Sequence, residues 1–504
     1  MKTNQLKAGT ILSYLSMIIS SLISILFTPV MLRLLGQSEY GLYNLVSSVV
    51  SYLGLLSFGF GSAYIRFYSR YKVKEDEQGI AKLNGMFLTV FSIIGLIAII
   101  AGIFLVANVD VIFGSKLTIE ELSTAKILMS IMVFNLALSF PASVFSSHIT
   151  ANEKFIFQKG LQIVKAIISP FVMLPLLLMG YKSVGVVVIT TVLNIMVEII
   201  NAIFCVKKLK MRFFFKQFDF VLMKEMAVFS SYLFMNMIID QVNWNLDKFI
   251  LGRFRGTISV AIYGVASQLN AYYLSFSTTI SGVFVPRVNR MVASKNSDIE
   301  LTDLFTRIGR IQFIILSLIS SGFILFGKPF ITMWAGSNYQ QAYPIALLLI
   351  IPVTIPLIQN IGIEIQKAKN MHKFRSWLYL FMALGNLLLS IPLAKMMGGV
   401  GAALGTAISL FIGNGIIMNL YYHLKIGLNM KFFWSQIIKI VPALVIPTIT
   451  GVLIHKAVNL YNVSYLFVSG VIYVLVFCIS MWFLGMNKYE KELISKPVIR
   501  VLKK

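Results

Sequence analysis

The sequence has 504 residues, of which 58% are hydrophobic and 12% charged, and its mean hydropathy is +0.83. One water-soluble core cannot bury that much apolar surface, so the composition excludes a soluble protein and makes lipid the solvent for most of the chain. The formal net charge of +25 would suggest a nucleic-acid partner in a soluble protein, but the 44 Lys and Arg residues lie between apolar segments, which argues against nucleic acid.

The chain begins with Lys2 and Lys7 ahead of an apolar segment, residues 8–32. This segment is too long for a secretion signal and has no small-residue cleavage site, so we expect a retained membrane span. Thirteen more apolar segments follow, each long enough to cross a bilayer. The fourteen predicted spans are 8–32, 40–65, 80–107, 122–148, 160–179, 184–206, 227–251, 258–285, 304–326, 343–365, 376–394, 400–423, 435–454 and 465–484.

The basic residues indicate the orientation of these spans. Counted with the ends of the adjoining spans, the amino terminus, every second connection after it and the carboxy-terminal tail hold 34 of the 44 Lys and Arg residues, whereas the alternate connections hold 9. Cytoplasmic segments of membrane proteins are enriched in Lys and Arg. We therefore expect both termini in the cytoplasm, which agrees with an even number of spans.

Short sequence patterns recur at an offset of about 220 residues, which is typical of transporters built from two related halves. The sequence EKF at 153–155 is followed by HKF at 372–374, and the Met-Gly pair at 179–180 by the pair at 397–398. We predict an all-α membrane fold with two six-helix lobes related by a pseudo-twofold axis along the membrane normal. The lobes are residues 1–215 and 216–430, and residues 431–504 add two helices and a cytoplasmic tail.

Within the seventh span, polar residues are spaced at steps of four, four, three and four and so lie along one helix face; they are Tyr232, Asn236, Asp240, Asn243 and Asp247. A carboxylate near the bilayer centre costs roughly 2.5–3.5 kcal/mol, and helices turn such groups toward a bundle interior or a water-filled cavity. We therefore predict that this face lines a cavity.

Other polar residues within spans extend the set of predicted cavity residues. Lys248 follows Asp247, and Lys165 lies near the start of the fifth span, where snorkelling to the interface is the alternative. Polar stripes on the sixth and tenth spans carry Glu198 and Glu364. The four histidines lie near span ends, and none of them forms a pair with metal-ligand spacing, so we predict no metal and no cofactor.

The sequence resembles a known family at residues 7–10 (KAGT), 34–43 (LLGQSEYGLY), 151–155 (ANEKF) and 247–252 (DKFILG). These segments are similar to bacterial polysaccharide-exporting flippases of the Wzx type, in the multidrug/oligosaccharidyl-lipid/polysaccharide (MOP) superfamily. The resemblance covers essentially the whole chain.

This resemblance implies the fold of multidrug and toxin extrusion (MATE) transporters, in which two lobes face each other across a V-shaped cavity. It implies an undecaprenyl-diphosphate-linked oligosaccharide as cargo, flipped across the bacterial cytoplasmic membrane by alternating access for capsular, exopolysaccharide or other surface polysaccharide synthesis. The implied partners are that lipid-linked oligosaccharide, membrane lipids and possible contacts with a polysaccharide polymerase and chain-length machinery.

Four arginines lie at matching ends of spans in the two halves. Arg33 and Arg253 are at the outer ends of spans one and seven, and Arg66 and Arg287 are at the cytoplasmic ends of spans two and eight. A guanidinium can bind a diphosphate through two hydrogen bonds, so these side chains are candidates for the two ends of the route. The alternative is that they anchor helices by reaching lipid phosphates.

Alternative functions remain open from the sequence. The stripe of Asp240, Asn243 and Asp247 could bind sugar hydroxyls, couple to a cation gradient or only join helices by hydrogen bonds. A multidrug or cation exporter on the same fold is the second candidate, although the first span carries serines and no acid. A membrane polysaccharide polymerase or ligase is the enzyme alternative, and such an enzyme is expected to have a large outer loop. Because the longest outer connection, about residues 108–121, is short, we predict that the chain is not an enzyme.

Overall fold

The computed structural model describes residues 5–216, 218–294, 297–493 and 495, and these residues form helices joined by short connections with no strand among them. The predicted all-α membrane fold is confirmed. The helices are α1 Gln5–Leu53, α2 Phe60–Val73, α3 Glu77–Ala107, α4 Val109–Phe113, α5 Ile119–Ala151, α6 Phe155–Leu178, α7 Lys182–Ile203, α8 Phe220–Arg255, α9 Thr257–Ala293, α10 Asp298–Trp334, α11 Ala342–Ile358, α12 Asn360–Ala368, α13 Lys373–Met397, α14 Gly399–Leu410, α15 Met418–Tyr421, α16 Met430–Ile438, α17 Val445–Ala457 and α18 Val463–Ser480.

Every predicted span overlaps a helix, but fourteen is not confirmed as the number of spans. Among the described residues, eleven helices are long and apolar enough to cross a membrane, or twelve if α11 and α12, bent by 41°, form one span. The first predicted span and most of the second lie in one helix, α1, which turns at Gly36, where φ is 76°; the end of the second span lies in α2. α9 is not among the eleven, and its sequence carries many Ser, Thr, Asn and Gln residues.

Three predicted helix boundaries were wrong, and each correction moves a predicted site residue. The second span continues to Val73, so Arg66 lies inside α2 rather than at a helix end. Arg287 likewise lies inside α9, which continues past Pro286 to Ala293. Lys165 lies ten residues after the start of α6 rather than five. Apolar content alone does not locate these helix ends because a helix can continue into polar sequence after its apolar stretch has ended.

The repeat is visible in the backbone as well as in the sequence. Residues with positive φ end or break helices because the left-handed conformation cannot continue an α-helix. Ten of them form five pairs at offsets of 217–222 residues: Gly36 and Gly256, Gly114 and Gly336, Glu153 and Asn370, Gly180 and Gly398, and Lys210 and Gly427. The break at Phe58 and Gly59, with φ of 49° and 71°, has no counterpart in the continuous helix α9.

The described chain divides into two compact units after Gly264, within α9. α8 packs on α1 and α2 in the first unit, so this division falls later than the lobe boundary predicted at residue 215. The lobe boundaries stay a prediction.

The first unit has a core in which α2, α3, α5 and the start of α8 meet. Tyr64 on α2 is fully buried there, and its hydroxyl lies 2.6 Å from the Asn84 side-chain oxygen and 2.7 Å from His148 Nδ1. Leu222 and Met226 of α8 are buried in the same cluster. This core fixes α2 against the first turns of α8.

In the second unit, α16, α17 and α18 pack on α10 around a buried apolar cluster that includes Tyr473 and Phe477. The same region contains a buried ion pair between Arg310 of α10 and Glu490, which follows α18. The last helices of the chain are therefore joined to α10 by both apolar packing and charge.

The predicted orientation can be measured by labelling with a membrane-impermeant thiol reagent. In a Cys478→Ser background, we expect a cysteine at Ser337, in the connection after α10, to react from outside intact cells. A cysteine at Lys74, in the connection before α3, should react only after the membrane is opened. Buried Cys205 should stay unlabelled in the background protein. Labelling of Lys74→Cys in intact cells would reverse the proposed orientation.

Candidate functional site

The predicted polar stripe on α8 ends at a buried carboxylate. Asp247 is only 2% exposed, and its Oδ2 accepts a 2.5 Å hydrogen bond from the Tyr263 hydroxyl of α9. The hydrogen bond compensates part of the cost of burying a carboxylate. The structure thus places the Asp247 end of the stripe inside the first unit.

Toward the middle of α8, the same face becomes accessible. Asn236 and Asn243 are half-buried, and Asp240, about two helical turns before Asp247, is exposed. Lys248, beside Asp247 in the chain, is half-buried. One helix face therefore passes from an accessible carboxylate to an enclosed one, a change that periodicity alone could not predict.

A second polar contact fixes α8 on α1. The Ser51 hydroxyl donates to Gln241 Oε1 at 3.1 Å, and the Gln241 amide donates to the Ser51 carbonyl at 3.2 Å. Asn245, one turn after Gln241, donates to the same Oε1 at 2.6 Å. The sequence analysis missed this pair, although Gln241 and Asn245 have the four-residue spacing that would have indicated it.

The first unit also contains a polar pocket of about 320 Å³ between α1, α5 and α7. Hydroxyl and amide side chains make up much of its lining, including Ser47, Ser51, Asn135, Ser139, Thr190 and Asn194. The sequence analysis missed most of these residues because each is ordinary within its own span. Only the packing of three helices brings them together.

Two predicted cavity residues lie next to this pocket. Lys165 of α6 donates a hydrogen bond to the Asn194 side-chain oxygen, and the Asn194 amide lies 3.4 Å from the Asn135 side-chain oxygen. Glu198, one turn after Asn194 on α7, is half-buried and interacts electrostatically with Lys165. The structure therefore brings together Lys165 and Glu198, which the sequence suggested separately.

The four predicted arginines are in different surroundings. Arg33 and Arg287 are exposed, and Arg66 is exposed with its guanidinium 4.6 Å from the centre of the Phe229 ring. Arg253 donates hydrogen bonds to two carbonyls of α4, those of Val111 and Ile112, and the bond to Ile112 is 2.8 Å long. Arg253 thus joins α8 to α4 within the first unit, and its proposed contact with substrate stays a prediction.

Glu364, predicted as a cavity residue of the tenth span, lies on α12 in the second unit. It is half-buried and accepts a 2.8 Å hydrogen bond from Lys367. An ion pair at i and i+3 on a partly exposed helix is common as a structural contact. Its proposed role also stays a prediction.

Comparison with known proteins shows the family to which the chain belongs. A model of the family described as "Polysaccharide biosynthesis protein" matches residues 6–292, more than half of the chain and the segment that contains α8 and the polar pocket. The chain belongs to the polysaccharide biosynthesis protein family.

Two relatives of this family member match over most of their length. An uncharacterized membrane protein, EpsK, of Bacillus subtilis is 20% identical over 95% of both chains. A putative O-antigen transporter of Shigella flexneri is 22% identical and covers 80% of this chain and 94% of its own.

Solved structures show the fold. The lipid II flippase MurJ in an inward closed conformation covers 97% of this chain and 99% of its own, with 17% identity and a TM-score of 0.71. An inward-facing MATE transporter of the MOP superfamily covers 82% of this chain and 99% of its own, with 13% identity and a TM-score of 0.62. The predicted MATE-like fold is confirmed.

The comparisons also show the general class of activity. The matched proteins with a described activity are transporters and flippases, so the prediction that the chain is not an enzyme is confirmed, and the polymerase or ligase alternative was wrong. The chain is a multi-pass membrane protein of the polysaccharide biosynthesis family. Its substrate is a separate question.

Proposed function

We propose that this family member flips an undecaprenyl-diphosphate-linked oligosaccharide across the bacterial cytoplasmic membrane, with both termini in the cytoplasm. The product would serve the synthesis of a capsular, exopolysaccharide or other surface polysaccharide. The polar pocket and the carboxylate-bearing face of α8 carry the proposal. The putative transporter activity of the Shigella flexneri relative supports it.

The physical problem in such a reaction is the headgroup, because sugars and a diphosphate cannot enter hydrocarbon without large desolvation costs. Hydroxyl and amide side chains can replace water around sugar hydroxyls. The lipid tail needs no such shelter and can stay in the bilayer. A transporter of this kind therefore needs polar residues at membrane depth and no chemically reactive group.

The proposed roles follow from where the side chains lie. The pocket that contains Asn135 and Asn194, with Lys165 beside it, supplies donors and acceptors for sugar hydroxyls. Asp240, on the accessible part of the α8 face, is the better candidate if a cation is coupled to transport. Movement of the two repeats relative to each other would provide alternating access, with the polymerase and chain-length machinery acting on the delivered product.

Depletion of the protein tests this proposal. We expect lipid-linked repeat units to accumulate in the inner leaflet because their headgroups cannot cross unaided. The measurement is the fraction of lipid-linked glycan in spheroplasts that a membrane-impermeant lectin or glycosidase can reach, and it should fall to near background. Expression of the wild-type chain should restore it. Unchanged accessibility and normal surface polysaccharide, in cells with no paralogue, would refute the flippase and favour a multidrug or cation exporter.

A further inference from the structure

A groove of about 600 Å³ lies between α2 and the start of α8, at the end of the first unit that we predict to be cytoplasmic. Its polar lining is Arg66 and Arg70 from α2 and Lys224 and Glu225 from α8. Phe67, Val221, Val228 and Phe229 supply its apolar lining. One surface thus combines three cations, one anion and a set of large hydrophobic side chains.

The two walls of this groove are held in place from behind. The opposite face of α2, with Tyr64 and Tyr68, is buried in the core of the unit, as are Leu222 and Met226 of α8. Buried packing of this kind fixes the backbone that carries the charged side chains. The groove is therefore preorganised rather than formed by loose surface residues.

Two further contacts join α2 and the residues just before it to α8. At one end, the Phe58 and Phe234 rings stack with centroids 4.4 Å apart, and Gly59 packs so closely on Leu233 that an added Cβ would lie 2.9 Å from the Leu233 Cβ. At the other end, Arg70 pairs with Glu225 at 3.3 Å. Arg66 lies between these two contacts along α2, and Lys224 is adjacent to Glu225 on α8.

The charges of the groove do not balance. Glu225 is paired with Arg70, whereas among the described residues neither Arg66 nor Lys224 has an acidic partner within 4.0 Å. Arg66 instead lies over the Phe229 ring, which orients its guanidinium toward the groove while leaving its N–H donors available. The groove therefore has an excess of two positive charges with donors suited to an anion.

We propose that this groove binds the diphosphate of a polyprenyl-diphosphate lipid at the cytoplasmic interface, and so is the first binding position of the substrate. This inference rests on the proposed flippase function. Arg66 and Lys224 would bind the phosphate oxygens by charge-assisted hydrogen bonds. Val221 and Val228, which are 72% and 59% exposed, would contact the first isoprene units. A free inorganic anion would leave that apolar lining without a function.

Binding of geranylgeranyl diphosphate to the purified full-length protein, in nanodiscs of zwitterionic lipid, tests the proposal. Replacing Arg66 or Lys224 with glutamine removes a charge-assisted contact, and we expect each change to weaken binding about tenfold. Glu225→Gln removes the anion of the groove and releases Arg70, so it should tighten binding. Lys207→Gln, which removes an exposed cytoplasmic charge outside the groove, should leave binding unchanged. Because these side chains are exposed, the variants should fold, which size-exclusion chromatography checks.

Two competition measurements decide which part of the ligand is recognised. Inorganic pyrophosphate should displace the probe only at concentrations far above that of the lipid, and phosphatidylglycerol should displace it poorly. Competition by pyrophosphate equal to that of unlabelled probe would overturn the role of the apolar lining. Equal competition by phosphatidylglycerol would make the groove a general site for anionic lipid and would also overturn the proposal.

The outcomes separate this inference from the proposed function. Unchanged binding in Arg66→Gln and Lys224→Gln would refute diphosphate binding in the groove, even if depletion traps lipid-linked glycan as expected. Binding of the probe that depends on these charges would support the groove as a diphosphate site. Normal export after depletion would refute only the proposed flippase function.

Discussion

Replacing Arg310 with methionine is expected to destabilise the second unit more than any other single substitution considered. The Arg310 side chain is 5% exposed, and its guanidinium donates to both Glu490 carboxylate oxygens, at 2.6 and 3.0 Å. It also donates to the carbonyls of Gln436 and Gly485, at 2.6 and 2.8 Å. Removing Arg310 leaves the Glu490 carboxylate, 3% exposed, without its cation, and breaking a buried pair in this way costs about 3–5 kcal/mol.

The measurement is the apparent melting temperature of the detergent-solubilised protein, together with its amount in the membrane. Arg310→Met should lower both strongly, whereas Lys126→Met, which removes an exposed ion pair with Asp110, should change them little. The double variant Arg310→Met, Glu490→Met should recover much of the loss because no unpaired charge stays buried. A stable Arg310→Met protein with a destabilised double variant would contradict this account.

The face of α8 was predictable because local periodicity determines it. Tyr232, Asn236, Asp240, Asn243 and Asp247 share a face in any α-helix with that spacing, whatever packs around it. What packs around it depends on other parts of the chain. The sequence therefore did not indicate that Asp240 would be exposed and Asp247 buried against Tyr263.

The Arg310–Glu490 pair shows what the sequence analysis could not find. The two residues are 180 positions apart, and Glu490 lies among lysines in a segment that resembles a solvated tail. One signal was present, because Arg310 lies within the apolar span predicted at 304–326, and an arginine inside a span is rarely without a partner. The identity of that partner required the structure.

The predicted repeat also explains where the two halves differ. The helices of the two halves turn at equivalent positions of the repeat, where φ is positive. However, α2 is separated from α1 by the break at Phe58 and Gly59, whereas α9 is continuous. Conversely, α11 and α12 are broken at Gln359, while α5 continues through Pro141. The break in the first half directs α2 toward α8 and produces the basic groove. Sequence similarity between repeats predicts shared turns but not these single-copy breaks.

Replacing Asp247 with asparagine is expected to reduce transport strongly while leaving the protein in the membrane. Asparagine has nearly the same shape, and its side-chain oxygen can still accept the hydrogen bond from Tyr263, so the contact between α8 and α9 should persist. Only the negative charge is lost. A hydrogen bond to a charged group contributes about 1.5–3 kcal/mol, so loss of a functional charge should lower the transport rate roughly ten- to a hundredfold.

Two matched variants separate charge from packing at this position. Asp247→Leu removes both the charge and the acceptor for the Tyr263 hydroxyl, and it should lower membrane levels as well as transport. Tyr263→Phe keeps the carboxylate and removes the donor, so its effect measures the hydrogen bond alone. Lectin accessibility of the lipid-linked glycan gives the transport rate, and immunoblotting of membranes gives the protein level. If Asp247→Asn transports normally and only Asp247→Leu is defective, the carboxylate joins helices and has no part in moving the headgroup.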